Sequence, residues 1–592
     1  MTALASDEIV RYLEGRGITK VFGLCGHTNI AVLDAMSRSQ QIDFVNVRHE
    51  QTASHAADGY ARVTRKASVV LSHLGPGLTN AATGVANAAL DSIPMVVIAG
   101  DVPTYYFGKH PHQEVNHHAD GDQWQIYRPF VKRAFRVDRA DKLPEVLDRA
   151  FVIAESGRPG PVLVDVPMDL FSLPIDTKLV DRALANRVDY AKPTITEDLA
   201  EQIVANLVAA ERPLVYAGGG VHLADTSSEL TELVDWLDLP VAHTLMGKGA
   251  VPDDNPHVLG MSGFWGMEFT NQMCREADWI LGLGTRFTEA DSSSWYEEYT
   301  FRMPPTKLMQ IDIDPEQIGR NYPVEIGAVA DLKSALGVLV KVAKRVHPER
   351  FQRPELVQSI LDERADRKQG FVADQTSDEF PMNPARILAD LRTTIPPDAF
   401  IVTDVGWNKN GLAQQYDIVV PGTFLTPGGF ATMGFGSPAA LGVKLAAPDR
   451  QVVALIGDGG FGQNPSVLAT ARRERIPVVW VVMNNNAFGT IAGLEKANYD
   501  TTYGTVFSVE GGDDMWIDYA AVAQAYGIEG KRVESADKFA PVLAEALSAN
   551  EPFLIDVPMR NIPTPTSGHW NILDIYSPEG VKGQATIESG AP

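Results

Sequence analysis

Residues 456–489 read IGDGGFGQNPSVLATARRERIPVVWVVMNNNAFG, and this stretch decides the fold of the last third of the chain. An apolar run at 452–456 leads into a Gly-Asp-Gly turn, and a second apolar run at 478–483 ends at paired asparagines. Two such runs joined by a helical segment are typical of parallel strands that are covered by helices. The stretch therefore predicts a strand–helix–strand unit whose two strands end at the same edge of one sheet.

The residues at that edge are suited to hold a metal ion and a diphosphate. Asp458 offers a carboxylate oxygen and Asn485 an amide oxygen, and Mg²⁺ prefers oxygen ligands, few of them from protein. Gly457, Gly459 and Gly460 let the backbone approach a diphosphate near a helix N-terminus. A lone Gly-Asp-Gly would indicate only an ordinary turn, but the paired asparagines at this spacing predict a magnesium–diphosphate site.

The rest of the chain repeats the alternation of short apolar runs with helical segments. The runs that we interpret as strands lie at 21–24, 44–47, 68–72, 95–98 and 162–166, and then at 214–216, 279–283 and 308–313. Strands that alternate with helices indicate parallel sheets covered on both faces. We therefore predict an α/β fold with three parallel-sheet domains at 1–180, 197–345 and 384–560, followed by a tail or lid at 561–592.

The composition excludes several classes of function. The 592 residues carry a formal net charge of −24, which argues against nucleic acid and anionic membranes as partners. No apolar run reaches the length of about 18 residues that a membrane helix needs. The two cysteines, Cys25 and Cys274, rule out a disulfide scaffold and suit a reducing compartment, so we predict a cytoplasmic protein.

The metal–diphosphate segment resembles the thiamine diphosphate (ThDP) motif, and about residues 5–560 resemble the acetolactate synthase/pyruvate oxidase/benzoylformate decarboxylase family. The resemblance implies that the three domains are the pyrimidine-binding (PYR), central and diphosphate-binding (PP) domains. It implies ThDP and Mg²⁺ as cofactors. In this family the first domain of one subunit faces the third domain of another, which implies a homodimer or homotetramer with active sites at the subunit interface.

The resemblance also assigns the residues around the cofactor. Glu50, in RHEQTASHAADGYAR, matches the glutamate that hydrogen-bonds the pyrimidine ring and promotes activation of the cofactor. Met433, in PGGFATMGFG, matches the apolar residue over which ThDP bends. The implied Mg²⁺ ligands are Asp458, Asn485 and the main-chain carbonyl of Ala487. The other implied cofactor contacts are Pro76, Asn80, Ala431, Gly457, Gly459, Gly460, Phe488 and Gly489.

Several positions depart from true acetolactate synthases. The loop GLCGHTNI places His27 where the synthases have a glycine-rich loop, and His73 replaces the Ser or Thr before the LGPG turn. Met168 stands where the synthases have a lysine that meets the second substrate, and Leu494 replaces the tryptophan that selects the larger acceptor, whereas Gln113 is kept. Two imidazoles can act as general acid and base near neutral pH. We therefore predict His27, His73 and Gln113 as catalytic residues, with ordinary acetolactate synthesis not the main activity.

The middle domain carries a weaker resemblance, to nucleotide-binding segments. The sequences GLGTRF at 282–287 and IDIDP at 311–315 resemble the segments that bind FAD in the synthases and an ADP moiety in acyl-CoA relatives. Arg286 would meet a phosphate, and Asp312 or Asp314 a ribose or adenine edge. Many relatives keep this fold without a nucleotide, so FAD, another adenine nucleotide and no nucleotide all stay open.

Two loop regions complete the set of candidates. His569 and Trp570, in the tail, are candidates to close over the substrate. The loop KHPHQEVNHHADGDQW contains His110, His112, His117 and His118, and we favour a polar, substrate-facing loop over a metal site because no helical histidine pair with a carboxylate partner is present.

Together these features predict a ThDP- and Mg²⁺-dependent enzyme that cleaves or forms a carbon–carbon bond next to a carbonyl. The expected substrate is a small carbonyl compound, either a 2-oxo acid or a 2-hydroxy ketone. The enzymatic alternatives are a 2-hydroxyacyl-CoA lyase, an FAD-containing cyclic-dione hydrolase and acetolactate synthase proper. The non-enzymatic alternative, a degenerate ThDP-fold binding protein, would be expected to lose Glu50, Asp458 or Asn485, and all three are present.

Overall fold

The computed structural model describes residues 1–186, 190–508, 515–563 and 565–576. In these residues the chain forms three six-stranded sheets, and each sheet is parallel throughout. The predicted α/β fold with three parallel-sheet domains is confirmed. None of the helices in the described ranges is both long enough and apolar enough to cross a membrane.

The first domain has helices on both sides of its sheet. Its strands are β1 (Thr2–Leu4), β2 (Lys20–Gly23), β3 (Asp43–Asn46), β4 (Ser68–Ser72), β5 (Met95–Asp101), β6 (Arg133–Arg136), β7 (Pro161–Pro167) and β8 (Pro174–Asp176). Its helices are α1 (Ala5–Gly15), α2 (Ile30–Ser37), α3 (Glu50–Thr64), α4 (Pro76–Leu90), α5 (Leu143–Glu155), α6 (Met168–Phe171) and α7 (Lys178–Ala185). The sheet order is β3-β2-β4-β5-β7-β6, and β1 pairs separately with β8 in an antiparallel ribbon.

The middle domain is also built from a six-stranded parallel sheet and helices. Its strands are β9 (Pro213–Ala217), β10 (Val241–His243), β11 (Val258–Met261), β12 (Trp279–Leu283), β13 (Lys307–Asp312) and β14 (Ile326–Val329). Its helices are α8 (Glu197–Ala209), α9 (Gly220–Leu223), α10 (Ser227–Leu237), α11 (Glu268–Glu276) and α12 (Leu332–Val346). The sheet order is β11-β10-β9-β12-β13-β14. The connection between the middle and third domains contains one long helix, α13 (Pro354–Gln375).

The third domain contains the segment with which the sequence analysis began. Its strands are β15 (Phe400–Thr403), β16 (Phe424–Leu425), β17 (Val452–Gly457), β18 (Val479–Asn484), β19 (Glu529–Arg532) and β20 (Phe553–Pro558). Its helices are α14 (Pro384–Thr394), α15 (Trp407–Gln415), α16 (Gly436–Ala446), α17 (Asp458–Phe461), α18 (Val467–Glu474), α19 (Gly489–Tyr499), α20 (Tyr519–Ala525) and α21 (Ala536–Ala549). The sheet order is β16-β15-β17-β18-β20-β19, and α22 (Ile572–Ile575) lies in the tail.

Each sheet has a central point at which the strand order reverses, and in the first and third sheets the last two strands at one edge are also exchanged. The reversal lies between β2 and β4 in the first sheet, between β9 and β12 in the second, and between β15 and β17 in the third. In open parallel sheets, ligands bind at this point, beyond the carboxyl ends of the strands. The loops that follow these six strands are therefore where the three domains are expected to bind small molecules.

The first and third domains pack together through α3 and α16. An added methyl group on Gly59 would overlap the carbonyl oxygen of Ala439, and one on Gly442 would overlap that of Ala56. The residue numbers rise along one helix as they fall along the other, so the two helices are antiparallel. Close backbone approach at these glycines joins the two sheets into one continuous apolar core.

Candidate functional site

Glu50 lies at the N-terminus of α3, which follows β3, and its side chain reaches α4, which follows β4 at the reversal point of the first sheet. Its side chain is buried, and its Oε2 accepts a hydrogen bond from Nδ2 of Asn80 at 3.0 Å. Its Oε1 faces Gly77, where an added methyl group would lie 3.2 Å from it. His49 caps α3 by accepting the N–H of Gln51 through its ring. The helix cap at His49 and the amide of Asn80 together hold the Glu50 carboxylate at a defined position beyond the carboxyl ends of the strands.

His73 follows β4, and both nitrogens of its ring have a partner. Nδ1 lies 2.8 Å from the hydroxyl of Thr28, and Nε2 lies 3.0 Å from Oε1 of Gln113. An amide oxygen can only accept, so Nε2 carries the proton and the threonine hydroxyl donates to Nδ1. A side chain at Gly26 would overlap the imidazole. The structure thus holds the His73 ring in one orientation, with its Nε2–H pointing at Gln113.

His27 follows β2 and lies beside His73. The ring centroids of the two histidines are 4.6 Å apart, and the ring of His112 lies 6.3 Å from that of His27. Partial burial lowers the pKa of His27 below its ordinary value of 6.5, and the neighbouring imidazoles His73 and His112 lower it further. The imidazole of His27 is therefore neutral at pH 7 and available as a proton acceptor.

The loop with Gln113 docks on the turn after β4. Gly75 has a φ of +50°, and a side chain there would overlap the carbonyl oxygen of Gln113. Gln113 itself has a φ of +65°, an unusual conformation for a residue with a side chain. Pro76 begins α4 directly after this turn. The tight turn thus places Gln113 against His73 and carries His112 toward His27.

Asp458 lies at the reversal point of the third sheet, where β17 ends. Its carboxylate is buried, and it accepts the N–H of Gly459 at 2.9 Å and the N–H of Ala487 at 3.2 Å. Burial raises the pKa of Asp458 to about 7. Next to it, Gly457 is open, because an added methyl group there would meet no atom within 4 Å. The sheet edge thus offers a carboxylate beside free space.

The Asn485 side chain is oriented by a chain of hydrogen bonds. The indole N–H of Trp407 can only donate, and it donates to Oδ1 of Asn561 at 3.2 Å. The same oxygen accepts Nδ2 of Asn485 at 3.1 Å, which turns Oδ1 of Asn485 toward Oδ1 of Asp458 and the carbonyl oxygen of Ala487, each 3.0 Å away. Turning the Asn485 amide over would create two hydrogen bonds but would oppose two amide oxygens at Asn561. We therefore favour the arrangement in which three oxygen atoms converge, as they do around a cation.

Met433 lies close to the same edge of the third sheet. A methyl group added to Gly459 would lie 3.2 Å from Cε of Met433 and 2.7 Å from the ring of Phe488. Ala431, two residues earlier, has a φ of +51°. Gly489 begins α19, and an added methyl group there would lie 2.7 Å from Oδ1 of Asn561. Met433, Phe488 and Gly489, which the sequence resemblance assigned to the cofactor, therefore lie close to the turn that holds Asp458.

Comparison with known families decides the class of this protein. Residues 4–120 match the thiamine pyrophosphate enzyme N-terminal TPP binding domain, residues 200–339 the central domain, and residues 404–557 the C-terminal TPP binding domain. The probable acetolactate synthase large subunit of Methanocaldococcus jannaschii is 34% identical over 560 residues, which cover 93% of this chain and 91% of the relative.

The chain belongs to the thiamine pyrophosphate enzyme family. The Escherichia coli K12 acetolactate synthase isozyme 3 large subunit is 35% identical over 546 residues, which cover 92% of each chain. The Haemophilus influenzae acetolactate synthase large subunit is 34% identical over 562 residues, which cover 93% of this chain and 94% of the relative. The protein is a ThDP-dependent enzyme of the acetolactate synthase type, in a family that forms and cleaves carbon–carbon bonds.

This thiamine pyrophosphate enzyme also has a large cavity at the reversal point of its middle sheet. The cavity has a volume of ≈ 510 Å³ and extends to the first and third domains. Arg286 and Asp312 line it, and burial raises the pKa of Asp312 to about 6. Asp314 forms an ion pair with Arg158 at 3.4 Å. The residues predicted to meet a nucleotide therefore lie at or beside one cavity.

The tail residues lie against the middle domain. The ring of His569 stacks on Tyr299 with centroids 4.7 Å apart, and the ring of Trp570 lies 5.4 Å from that of Phe264. Trp570 also lines the cavity with Arg286 and Asp312. Leu494, on α19, lies in a different region, near the third sheet edge. Residues 577–592 of the predicted tail or lid lie outside the described residues.

Some residues that the sequence reasoning missed contact the candidate site. His112 was assigned to a polar loop, although its neighbour Gln113 was named as catalytic. Asn561 and Trp407 orient Asn485, but they come from segments far away in the chain, and nothing in their local sequence indicates this contact. Thr28 follows His27 directly in the chain. This hydroxyl beside a predicted catalytic histidine was the one sequence feature that could have indicated its contact with His73.

Proposed function

We propose that this enzyme requires Mg²⁺ together with ThDP and acts on a small carbonyl substrate, either a 2-oxo acid or a 2-hydroxy ketone. When bound, the cofactor supplies a nucleophilic carbon and takes up the electron pair of the broken carbon–carbon bond. The observation that carries the proposal is the pairing of two imidazoles, His27 and His73, at the sheet edge where Glu50 lies. These side chains move and hold protons, which bond cleavage next to a carbonyl requires.

The Mg²⁺ requirement is supported by the converging oxygens. Asn485 Oδ1 lies 3.0 Å from Asp458 Oδ1 and 3.0 Å from the carbonyl oxygen of Ala487. Oxygen atoms in such contact repel one another unless a hydrogen atom or a cation lies between them. Mg²⁺ prefers a small number of protein oxygens and fills its other positions with phosphate oxygens and water. The free space beside Gly457 suits the diphosphate.

Glu50 is proposed to hold the proton that activates the cofactor. Its Oε2 is occupied by Asn80, and among the described residues no hydrogen bond reaches Oε1. A buried carboxylate that uses one oxygen for a protein partner can hydrogen-bond a ring nitrogen through its other oxygen. Pro76 and Asn80, on the neighbouring helix α4, form the adjacent wall.

His27 and His73 are proposed to divide the proton transfers between them. His27 is neutral near pH 7 and accepts a proton from the reacting substrate, while His73, fixed by Thr28, donates through Nε2 in competition with its bond to Gln113. Met168, where the synthases have a lysine, packs partly into an apolar cluster. Two imidazoles without that cation favour cleavage or decarboxylation over acetolactate synthesis, which is the main alternative.

The complete site is proposed to form between two copies of the chain. The antiparallel register of α3 and α16 sets Gly436 level with Arg62, whose guanidinium lies 5.1 Å from the ring of Phe435. Glu50 is twelve residues from Arg62 along α3, which corresponds to about 18 Å at 1.5 Å per residue. Because Met433 precedes Gly436 by three residues, we infer that it lies too far from Glu50 in one chain for both to contact one cofactor. In a homodimer, or a homotetramer of two such dimers, the first-domain half of the site, with Glu50, faces the third-domain half, with Asp458, of the partner chain.

A nucleotide is proposed as a ligand of the middle-domain cavity, either FAD or another adenine nucleotide. Burial lowers the pKa of Arg286, and the nearby guanidinium of Arg158 lowers it further. No described carboxylate lies within ion-pair distance of Arg286. Two neighbouring cations on one wall suit a phosphate, and Asp312 suits a ribose hydroxyl. A flavin spectrum in the purified protein would distinguish FAD from a colourless nucleotide or an empty cavity.

A substrate panel tests the proposed reaction class. The protein is reconstituted with ThDP and Mg²⁺, and product formation is followed for 2-oxo acids, 2-hydroxy ketones, cyclic diones and a 2-hydroxyacyl-CoA. We expect turnover of a 2-oxo acid or a 2-hydroxy ketone, reduced when His27 or His73 is changed to alanine. Turnover of the CoA substrate alone, of a dione alone or of pyruvate to acetolactate alone would favour the corresponding alternative. Full turnover in both histidine variants would contradict the assigned proton transfers.

A further inference from the structure

Asp404 is a fully buried carboxylate at the reversal point of the third sheet, directly after β15. Its Oδ1 accepts the N–H of Val405 at 2.8 Å and the N–H of Gly434 at 3.1 Å. Its Oδ2 accepts the N–H of Gly436 at 2.8 Å. Both carboxylate oxygens thus accept hydrogen bonds from backbone N–H groups. Two of the three donors, Gly434 and Gly436, follow closely after Met433 in the chain.

The segment 431–436, called the wedge loop below, depends on these contacts for its shape. Gly434 has a φ of +82°, which a residue with a side chain rarely adopts. Its carbonyl oxygen accepts Nδ2 of the buried Asn464 at 3.0 Å. Asn464 follows the Gly-Asp-Gly turn in the chain, so it is a second link, besides Asp404, between the wedge loop and the diphosphate edge.

Asp404 also touches the Gly-Asp-Gly turn itself. An added methyl group on Gly460 would lie 2.8 Å from Cγ and 2.8 Å from Oδ1 of Asp404. The glycine is required there because the carboxylate occupies the space a side chain would need. Asp404 therefore lies between the wedge loop and the turn that holds Asp458, and it fixes the distance between them.

We propose that Asp404 is a positioning residue for the cofactor, which holds Met433 at a fixed place relative to the diphosphate turn before ThDP binds. This inference rests on the proposed roles of Met433 and Asp458, and it adds Asp404 and Asn464 to the groups on which cofactor affinity depends. A preformed loop binds its ligand more tightly because the entropy of ordering the loop is not lost on binding. Neither residue needs to contact ThDP.

The chemistry of the contacts defines an informative substitution. In Asp404→Asn the side chain keeps its shape, but one end becomes an NH₂ group. Since both oxygens of Asp404 face backbone N–H groups, the new NH₂ group must face a donor, whichever way the amide turns. One buried donor then loses its partner, and the wedge loop loses one of its anchors.

The experiment is ThDP binding by titration calorimetry at saturating Mg²⁺, with thermal unfolding measured on the same samples. We expect the dissociation constant of ThDP to rise roughly tenfold or more in Asp404→Asn and severalfold in Asn464→Ala. Asp253→Asn is the control for lost stability, because buried Asp253 accepts the backbone N–H of Ile418 and Nζ of buried Lys248, each at 2.7 Å, away from the wedge loop. It should lower the unfolding temperature without changing ThDP affinity.

The outcomes separate positioning from stability. Weaker ThDP binding in Asp404→Asn and Asn464→Ala, relative to Asp253→Asn at a similar loss of unfolding temperature, supports the inference. If Asp404→Asn does not fold, Asn464→Ala decides alone. ThDP affinity within twofold of the wild type in Asn464→Ala and in any folded Asp404→Asn overturns it. Because the readout is cofactor binding, it stands even if the proposed substrates prove wrong.

Discussion

Mixing two inactive variants should restore activity if each active site is built from two chains. Glu50→Gln disables the half contributed by the first domain, and Asp458→Ala disables the half contributed by the third domain. In a mixed dimer, one site combines both altered halves and the other combines both intact halves. Within one chain, Glu50 lies about 18 Å along α3 from Arg62, the residue level with the start of α16, and this separation is the structural basis for the expectation.

The expected recovery follows from the symmetry of the dimer. Random assortment of equal amounts makes about half of the dimers mixed, and one of the two sites in each mixed dimer is intact, so about a quarter of the wild-type activity returns. The assay is turnover of the best panel substrate after the two variants are co-expressed with different affinity tags, or dissociated and reassembled together. A site within one chain gives no recovery, because neither variant chain carries both intact halves.

The control pair places both changes in the same half. Glu50→Gln mixed with Glu50→Ala leaves every site with an altered first-domain half, so activity should stay at the level of the separate variants. Recovery in this control would show that the signal comes from assembly or stability rather than from complementary halves. Absence of recovery in the Glu50 and Asp458 mixture, with mixed dimers present by tag purification, would refute the two-chain site.

Three further substitutions probe the metal, the proton transfer and the packing. Asp458→Ala removes one of three converging oxygens and should weaken ThDP binding in a Mg²⁺-dependent manner; titrations that show unchanged Mg²⁺ dependence would reject the metal site. In the wild type, kcat/KM should fall as the pH drops through the lowered pKa of His27, since the neutral base becomes protonated. His27→Asn should remove this acidic limb and reduce turnover by roughly 10²–10⁴, and a pH–rate profile that keeps the limb would show that another group titrates. Gly442→Ala should destabilise the fold by about 1–3 kcal/mol or more in denaturant unfolding, because its methyl group would overlap the carbonyl oxygen of Ala56, whereas Gly337→Ala, with no atom within 4 Å, should be neutral or stabilising. Equal unfolding curves for the two glycine variants would contradict the helix contact.

The apolar runs of the sequence predicted ten of the eighteen strands that form the three sheets in the described residues, because buried parallel strands are short continuous apolar runs. The strands at Ser68–Ser72 and Trp279–Leu283 have the predicted bounds, and the others differ by one to three residues at either end, where hydrogen bonding rather than apolarity sets the limit. The Gly-Asp-Gly turn proved to begin a short helix, α17, because its glycines do not prevent helical dihedral angles.

The sequence could group candidate residues that follow neighbouring strands of one sheet, but it could not indicate contacts between distant segments. His27 and His73 could be grouped because the carboxyl ends of neighbouring parallel strands meet at one edge. The role of Asp404 could not be predicted, since its partners Gly434 and Gly436 lie about thirty residues away and an aspartate after a strand is common. The tail gave no periodic signal, so its contact with Tyr299 and the cavity could not be predicted either.

The measurement to make is carbon–carbon bond cleavage by the wild type and Glu50→Gln, both loaded with ThDP and Mg²⁺. Release of CO₂ and of the carbonyl fragment is followed for 2-oxo acids and 2-hydroxy ketones, and ThDP binding is checked in both proteins. We expect the wild type to cleave at least one substrate and Glu50→Gln to bind ThDP but lose orders of magnitude in turnover. No cleavage of any substrate by the ThDP-loaded wild type, or full turnover in Glu50→Gln, would contradict the proposed function.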